Sequence, residues 1–566
     1  MYYVVSQSGK AVVVQPCDSH GRQMRPARVL SARDFAEFVA HEEPGEPRWV
    51  WADTSRVYAL LLAQGRRVRR CHDLRLCHVI LRNSALPVHS AVGTREADQW
   101  HSEQLGDDNN ADNAGAAPTL FDFGELAGAP EASVASDDRE ELVRQLEAVA
   151  SASEPGRLRL LLAAESVGAL IAAEMTYAGL PWRTDIHDQL LTEQLGPRVV
   201  HGRRPERLEK LAEEIRTLLG DSQLNPDSPA DVLRALQRVG LTVTSTRAWV
   251  LRELEHPVVE PLLLYKKLFR LLSANGWVWM DTWIVNGRFH PEYLPGGVVT
   301  GRWAARGGGA LQLPKQVRGA VVADEGWAFV VADASQLEPR ILAALSRDLQ
   351  MADAGRGADL YDGIVASGVI DTRAHAKVAM LGAMYGATTG ESGRLLPRLA
   401  KAYPRAIGLT EAAARTGERG EVVTTRLGRS SPLPAREWHD VQARAYEPGA
   451  TSTDERRARS QSRDWGRFTR NFIVQGTAAE WALCWMAEVR KQLWLLQSVD
   501  ARFDRAPHLV FFLHDEVIVH TPVALAQQVA GIVTAAAATA GRLLFGDFPV
   551  DFLLTVATVT SYADAK

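Results

Sequence analysis

Short apolar runs bounded by turn residues open the chain, and a helical period takes over later. Tyr2 to Val5 and Ala11 to Val14 predict a hairpin about Ser8-Gly9. Trp49-Val-Trp predicts a strand, Tyr58 to Ala63 a helix, and Val68, after Gly65, a further strand. Residues 1–92 therefore form a small α/β unit. From 93 to 140 the periodicity stops. The run Asp107-Asp-Asn-Asn-Ala-Asp-Asn and the Ala, Gly, Pro and Asp that follow predict a flexible acidic connector. Over 141–300, leucines recur at three- and four-residue steps, as on amphipathic helices. Ser228 before Pro229 marks a helix start, and Pro257 to Ser273 predicts a long helix. Beyond 301, strands and helices mix. Trp327 to Ala332 is a buried-strand run ending on Asp333. Leu509 to Leu513 and Glu516 to Thr521 predict two strands joined by a tight turn at His514-Asp515.

A chain of 566 residues is too long for one core, so several domains are expected. Its 46% hydrophobic and 23% charged residues are ordinary for a globular protein. No apolar run reaches the eighteen or so residues of a membrane span, and Met1-Tyr-Tyr-Val-Val-Ser has no basic-then-apolar leader, so no membrane partner is expected. Four cysteines exclude a disulfide framework and make the cytoplasm the expected compartment. A net charge of −4 excludes a uniformly basic nucleic-acid binder, but not a basic cleft.

Asp333 at a strand end and Asp515 at a hairpin tip, if brought side by side, would make an open site for divalent cations. Carboxylate oxygens suit Mg²⁺, with substrate phosphates completing the shell, and two such ions can clamp an in-line displacement. Alternatively, Asp333 caps a helix starting at Ser335 and His514-Asp515 only makes a turn. Arg373, Lys377, Leu381 and Tyr385 recur at four-residue steps, so a helix puts them on one face. Two cations and an aromatic aimed one way would make a platform for a triphosphate and a base. A solvated basic face is the plain alternative, although Gly382 weakens a purely structural helix. Arg456, Arg459, Arg463, Arg467 and Arg470 make a second row, able to follow a phosphate backbone or simply to face solvent beside Glu455 and Asp464.

These segments resemble DNA polymerase family A, the polymerase I type. Thr300-Gly301-Arg302 resembles its TGR element, and Leu311-Gln312 to Arg318 its primer-template segment. Asp333-Ala-Ser-Gln336-Leu-Glu338-Pro-Arg340 resembles motif A and Arg373 to Gly386 motif B. Arg467-Phe-Thr-Arg-Asn471-Phe-Ile-Val-Gln475-Gly-Thr-Ala-Ala resembles the RxxxNxxxQGTAA element, and His514-Asp515-Glu516 motif C. All follow in the family's order. The resemblance implies an α+β multidomain fold: a thumb with a helical linker at 141–300, and the palm and fingers of a right-handed polymerase at 301–566. It implies that Asp333 and Asp515 hold two Mg²⁺ ions, or Mn²⁺, with Glu516 supporting them. Arg373 and Lys377 would grip the incoming dNTP, with Gln336 and Tyr361 beside it. Tyr385 would lie near the templating pair, and Glu338 would crowd the sugar 2′-position. Arg302, Gln312, Arg318, Arg467, Asn471, Gln475 and His514 would touch primer-template DNA. The family's aromatic in motif B is Leu381 here, Pro339 replaces an aliphatic, and Tyr361 stands where a histidine is usual.

By position, residues 1–92 resemble a shortened 3′–5′ exonuclease, an RNase H-like fold. Tyr2 to Gln7 carries no acid, however, and Asp53 has no Glu partner. Cys71-His-Asp73-Leu-Arg-Leu-Cys77 puts Cys77 where a metal-binding Asp belongs. Asp137 or Asp138 would be the last acid, without its usual tyrosine. A catalytically dead module is expected, and no 5′-nuclease domain fits. Cys71, His72, Cys77 and His78 lack zinc-pair spacing. Pro118-Thr-Leu-Phe-Asp-Phe, within 117–124, faintly resembles a sliding-clamp-binding peptide. The reading is a monomeric, nucleoid-associated DNA-directed DNA polymerase serving repair or gap filling. The rivals are a polymerase with retained proofreading, a catalytically impaired DNA-binding relative, and a single-subunit RNA polymerase, which Glu338 disfavours.

Overall fold

The computed structural model describes the chain except residues 10, 88–130, 201, 307, 308, 310–312, 387–389, 498–501, 514 and 566, and gives only backbone for 131–136. Gln312, His514 and the segment 117–124 lie outside the described residues. The chain divides into two compact units. The first is Met1–Ala178, Tyr293–Ala305 and Val330–Thr558; the second is Gly179–Glu292, Arg306–Phe329 and Val559–Lys566.

The first unit begins with β1 (Tyr2–Ser8), β2 (Ala11–Cys17), β3 (Arg28–Ser31), α1 (Ala32–Glu42), β4 (Arg48–Trp51), α2 (Thr54–Ala63), β5 (Cys71–Asp73), α3 (Leu74–Asn83), α4 (Glu131–Ala150) and α5 (Pro155–Ala178). The strands form one sheet in the order β3-β2-β1-β4-β5. β2 runs antiparallel to β1 and β3, while β4 runs parallel to β1 and β5. Alternate residues serve opposite faces. Tyr3, Val5, Trp49 and Trp51 pack with Phe35, Tyr58 and Leu170, whereas Val4 and Val50 pack with Leu74 and Leu142.

The expected hairpin and the strand at Trp49 form, but Val68 is not in a strand. It is buried in a loop, where Tyr58 and Arg490 meet its backbone N–H and carbonyl, and the strand lies at β5. The expected connector end at 140 falls inside α4, which packs on β1. Asp138, Glu141 and Gln145 face inward there, so the helix shows little apolar period.

The second unit carries β6 (Leu180–Pro181), α6 (Thr184–Leu195), α7 (Glu206–Leu218), α8 (Pro229–Arg238), α9 (Ala248–Leu251), α10 (Val259–Asn275), α11 (Trp277–Trp283), β7 (Ile284–Val285) and β8 (Arg288–Phe289). Ser228 caps α8 as expected, accepting from Asp231 N–H at 3.3 Å. Trp182, His187, Trp279 and Phe289 form its aromatic cluster. β9 (Glu292–Leu294) pairs with β10 (Ala304–Arg306).

Next come β11 (Trp327–Ala334), α12 (Leu337–Ser346), α13 (Leu349–Ala354), α14 (Leu360–Ala366), α15 (Arg373–Tyr385), α16 (Gly390–Ala402), α17 (Pro404–Glu418), α18 (Arg436–Arg444) and α19 (Ser452–Trp494). β12 (His508–Leu513), β13 (Glu516–Pro522), α20 (Ala526–Phe545) and β14 (Leu554–Val559) complete the chain. The sheet order is β12-β13-β11-β14. One described helical stretch, Val523–Phe545, is long and apolar enough to cross a membrane, with mean hydropathy 1.5. Gln527, Gln528 and Arg542 interrupt it, and one face packs on α19, where Trp485 Nε1 donates to Val533 O at 3.0 Å.

Candidate active site

β11 and β13 are neighbours, so the end of β11 meets the β12–β13 turn. Ala334 N–H donates to the Asp515 carbonyl at 2.9 Å, which brings the residue after Asp333 onto the backbone of Asp515. Both aspartates are half-buried at this sheet end. Asp333 is not the N-cap of α12. α12 starts at Leu337 after Gln336, whose φ of 50° is a left-handed conformation rare for a side-chain-bearing residue. Glu516 begins β13, next to Asp515, and is 1% exposed. Among the described residues, no three or more His, Cys, Asp or Glu gather as a metal cage. Two hard carboxylates at adjoining strand ends do fit Mg²⁺, which keeps waters and binds substrate phosphates rather than needing an all-protein cage.

Beside this end, Glu338 accepts from Arg302 Nη2 at 2.5 Å and from Tyr385 Oη at 2.7 Å, joining the TGR element to α12 and α15. Pro339 sits in the first turn of α12, where its missing N–H costs no helical bond. Asp359 is a hub that the sequence reading passed over. It caps α14 by accepting from the Tyr361 and Asp362 N–H groups, and it also binds Gln336 Nε2 at 2.6 Å and Arg373 Nη2 at 2.7 Å. Partial burial raises its pKa, but Arg373 and the cap bonds outweigh that and leave it below the usual carboxylate value. Arg373 also lies over the Tyr361 ring, 5.6 Å from its centroid, and burial pushes the Tyr361 phenol up to about 12. An acid at a helix start was the available sequence clue. Arg340 was also missed as a support: it is 1% exposed and donates to the Ser335, Gly355, Ala358 and Asp551 carbonyls.

Thr372 caps α15, which leaves Arg373, Lys377 and Tyr385 exposed and Leu381 half-buried on one side, while Ala376, Met380, Ala383 and Met384 are buried. Gly386 ends the helix at φ 76°, and a Cβ there would lie 2.7 Å from Arg467 Cγ on α19. Asn471 and Gln475 follow Arg467 at four-residue steps, both half-buried. Gly476 lets α19 approach the Thr300-Gly301-Arg302 turn: a Cβ would meet Thr425 Cγ2 at 2.6 Å and Thr300 O at 3.2 Å. Arg470 departs from the expected row. It is 6% exposed, donating to Ala383 O at 3.1 Å and Glu411 Oε1 at 2.7 Å, because α15 and α17 pack on that side of α19. Arg318 lies in the second unit, its guanidinium 4.4 Å from the Tyr562 ring centroid.

In the N-terminal sheet, Ser6 of β1 donates to Asp138 of α4, which is 4% exposed; burial raises its pKa to about 6. Asp53 and Asp73 cap α2 and α3. Cys77 lies buried against Ser166, at 3.6 Å. His72 bonds Gln145 and His78 bonds Glu141, so these rings are committed to α4.

The model of the family described as "DNA polymerase family A" matches residues 200–560. Among curated proteins, DNA polymerase I of Aquifex aeolicus is 28% identical over 309 residues, covering 52% of this chain and 50% of that protein. The thermostable DNA polymerase I of Thermus thermophilus is 28% identical over 319 residues, covering 51% and 35%. The chain thus matches half or less of the length of these relatives. A solved structure, the POL domain of Pol1 from M. smegmatis in complex with DNA primer-template and dNTP, shares the fold. Its TM-score is 0.69 at 18% identity, covering 100% of this chain and 95% of that one.

Proposed function

The chain belongs to DNA polymerase family A, and we propose that it extends a primer 3′-hydroxyl with deoxynucleoside triphosphates on a DNA template. The observation that carries this reading is the adjacency of the Asp333 and Asp515 strand ends beside the Arg302–Glu338–Tyr385 cluster. Asp333 and Asp515 would hold the metal, and Mg²⁺ bound there would acidify the primer hydroxyl and neutralise the departing pyrophosphate. Lys377 and Arg373 would hold the triphosphate as fixed charges, Arg373 leaving Asp359 to do so. Glu338, fixed by Arg302 and Tyr385, would fill the space a ribose 2′-hydroxyl needs. Arg302, Arg467, Asn471 and Gln475 would follow the backbone and minor groove, whose acceptors are common to all correct pairs.

The N-terminal module acts in this reading as an inactive exonuclease-like fold. Ser6 meets Asp138 where two-metal hydrolysis needs a cluster of carboxylates, and Cys77 is sealed in the core. Gap filling in repair is the service such an enzyme suits. The test is primer extension with Mg²⁺ by wild type and Asp515→Asn, supplied with dNTPs or rNTPs, alongside a labelled mismatched primer without nucleotides. Extension by wild type with dNTPs alone, and no loss of 3′-nucleotides, is expected. Extension by Asp515→Asn would overturn the site, and metal-dependent shortening would overturn the inactive-module reading.

A further inference from the structure

Arg373 heads the face of α15 proposed to hold a triphosphate, yet in the structure its charge is already engaged. Its Nη2 donates to Asp359 Oδ2 at 2.7 Å, and its Nε lies 3.8 Å from Asp362 Oδ1. The guanidinium also lies 5.6 Å from the Tyr361 ring centroid. Tyr361 is 6% exposed, and burial pushes its phenol up to about 12. The ring therefore gives Arg373 a neutral aromatic face to rest on and offers no charge to a phosphate. Lys377, one turn further along, is exposed and forms no ion pair among the described residues.

Of the two partners, Asp359 is the fixed one. Its Oδ1 accepts from Tyr361 and Asp362 N–H at 2.9 and 3.1 Å, which caps α14. Its Oδ2 accepts from Gln336 Nε2 at 2.6 Å as well as from Arg373. Gln336 in turn accepts from Leu360 N–H through Oε1 at 3.0 Å, so carboxylate and amide brace each other. Arg373 is the movable partner, a long side chain 52% exposed on the first residue of α15. When a competing anion draws the guanidinium away, three other donors keep the carboxylate where it is.

In the polymerase reading, on which this inference rests, Arg373 serves the triphosphate only by giving up Asp359. The carboxylate left behind then stands near the arriving phosphates as a like charge. Both effects oppose nucleotide binding, and the more distant Asp362 adds to them weakly. We propose that Asp359 is a positioning residue that sets the chain's affinity for the triphosphate by competing with it for Arg373. The competition concerns phosphate charge alone, so it acts on any triphosphate, whatever its base or sugar.

The test measures binding of a labelled complementary dNTP to the full chain on a dideoxy-terminated primer-template with Mg²⁺, by filter retention, and its displacement by inorganic triphosphate. Wild type is compared with Asp359→Asn and Asp362→Asn. Asparagine caps a helix about as well as aspartate, and thermal unfolding checks the fold. Asp359→Asn should bind both ligands about three- to fivefold tighter, the upper range for a partly exposed ion pair, and Asp362→Asn about twofold tighter. In an Arg373→Gln background, Asp359→Asn should change either affinity by less than about twofold, because the contested group is gone. Unchanged or weaker dNTP binding by Asp359→Asn would mean that the carboxylate aims Arg373 at the nucleotide, and would overturn the proposal. A gain for dNTP without one for inorganic triphosphate would overturn it too, as would a gain that survives in the Arg373→Gln background. If Asp359→Asn unfolds, the exposed Asp362→Asn decides by the same outcomes. Wild type that neither binds the dNTP nor extends a primer would overturn the polymerase reading and the proposal with it. Wild type that does both, with no gain in the variants, overturns the proposal alone.

Discussion

Glu174→Gln should destabilise the first unit by about 3–5 kcal/mol. Glu174 is 5% exposed on α5 and receives Arg490 Nη2 at 2.7 Å and Nε at 3.0 Å, Arg67 Nη2 at 2.9 Å and Nε at 3.0 Å, and Tyr58 Oη at 2.6 Å. Arg490, 4% exposed on α19, also donates to the Val68 and Arg69 carbonyls. Glutamine would leave two buried guanidiniums without a counter-charge, and removing one member of a buried ion network costs about 3–5 kcal/mol. Burial would raise the Glu174 pKa, yet the two arginines hold it down at about 2. Because the folded value lies below the unfolded one, this stability is present above about pH 4.5 and lost as pH falls towards 2. Urea unfolding followed by tryptophan fluorescence measures both effects: wild type should lose stability across that acid range, and the variant should be flatter there. Replacing Arg67 and Arg490 by Met together with Glu174→Leu should restore most of the loss, since an apolar substitute avoids desolvating charges. A cost under about 1 kcal/mol, or an unchanged acid limb, would refute the network's role.

Glu338→Ala removes the group held by Arg302 and Tyr385, so the preference for dNTP over rNTP in kcat/KM should fall by about 100-fold; a ratio within threefold of wild type contradicts the sugar assignment. Gly386→Ala forces a side chain into a left-handed conformation against Arg467, so it should cost about 1–2 kcal/mol and weaken primer-template binding, read by thermal unfolding and anisotropy. Burial raises Glu480 and Asp73 to about 7, helped for Asp73 by Asp53, and raises Asp138 to about 6. The folded chain therefore holds protons that the unfolded chain has released, and stability should fall as pH rises from about 4.5 to 7. Glu480→Gln should flatten that decline in thermal unfolding; an unaltered slope counts against the burial argument.

Local rules made much of the site legible. The β11 run, the β12–β13 hairpin, the Ser228 cap and the face of α15 each rest on residues close in sequence. What stayed hidden depends on which neighbour covers which side. Arg470 shares the helical spacing of the exposed arginines, but α17 and α15 enclose it. α4 buries Asp138, Glu141 and Gln145 against partners on β1, α3 and β5, so its inward face is polar and its period invisible. Asp359 acts through Gln336 and Arg373, 23 and 14 residues away, which no local pattern connects.

α3 and α5 meet the later part of the first unit through buried charge and hydrogen bonds. Glu165 of α5, 1% exposed, pairs with Arg429 at 2.6 Å. That guanidinium lies against Gly301, where a Cβ would sit 2.5 Å from Arg429 Nε. Gly301 precedes Arg302, which grips Glu338. Ser84 Oγ donates to Gly428 O at 3.0 Å, and Ser430 Oγ accepts from Ala85 N–H at 3.0 Å, fixing the same loop from α3. The 43-residue α19, about 65 Å long, is held near its far end by Arg490 and Glu174. A lever of that length keeps Arg467, Asn471 and Gln475 in register only if it is anchored. Buried contacts from α3 and α5 thus reach the loop beside Arg302 and the long helix α19 by two routes, and in the polymerase reading they would hold both in place.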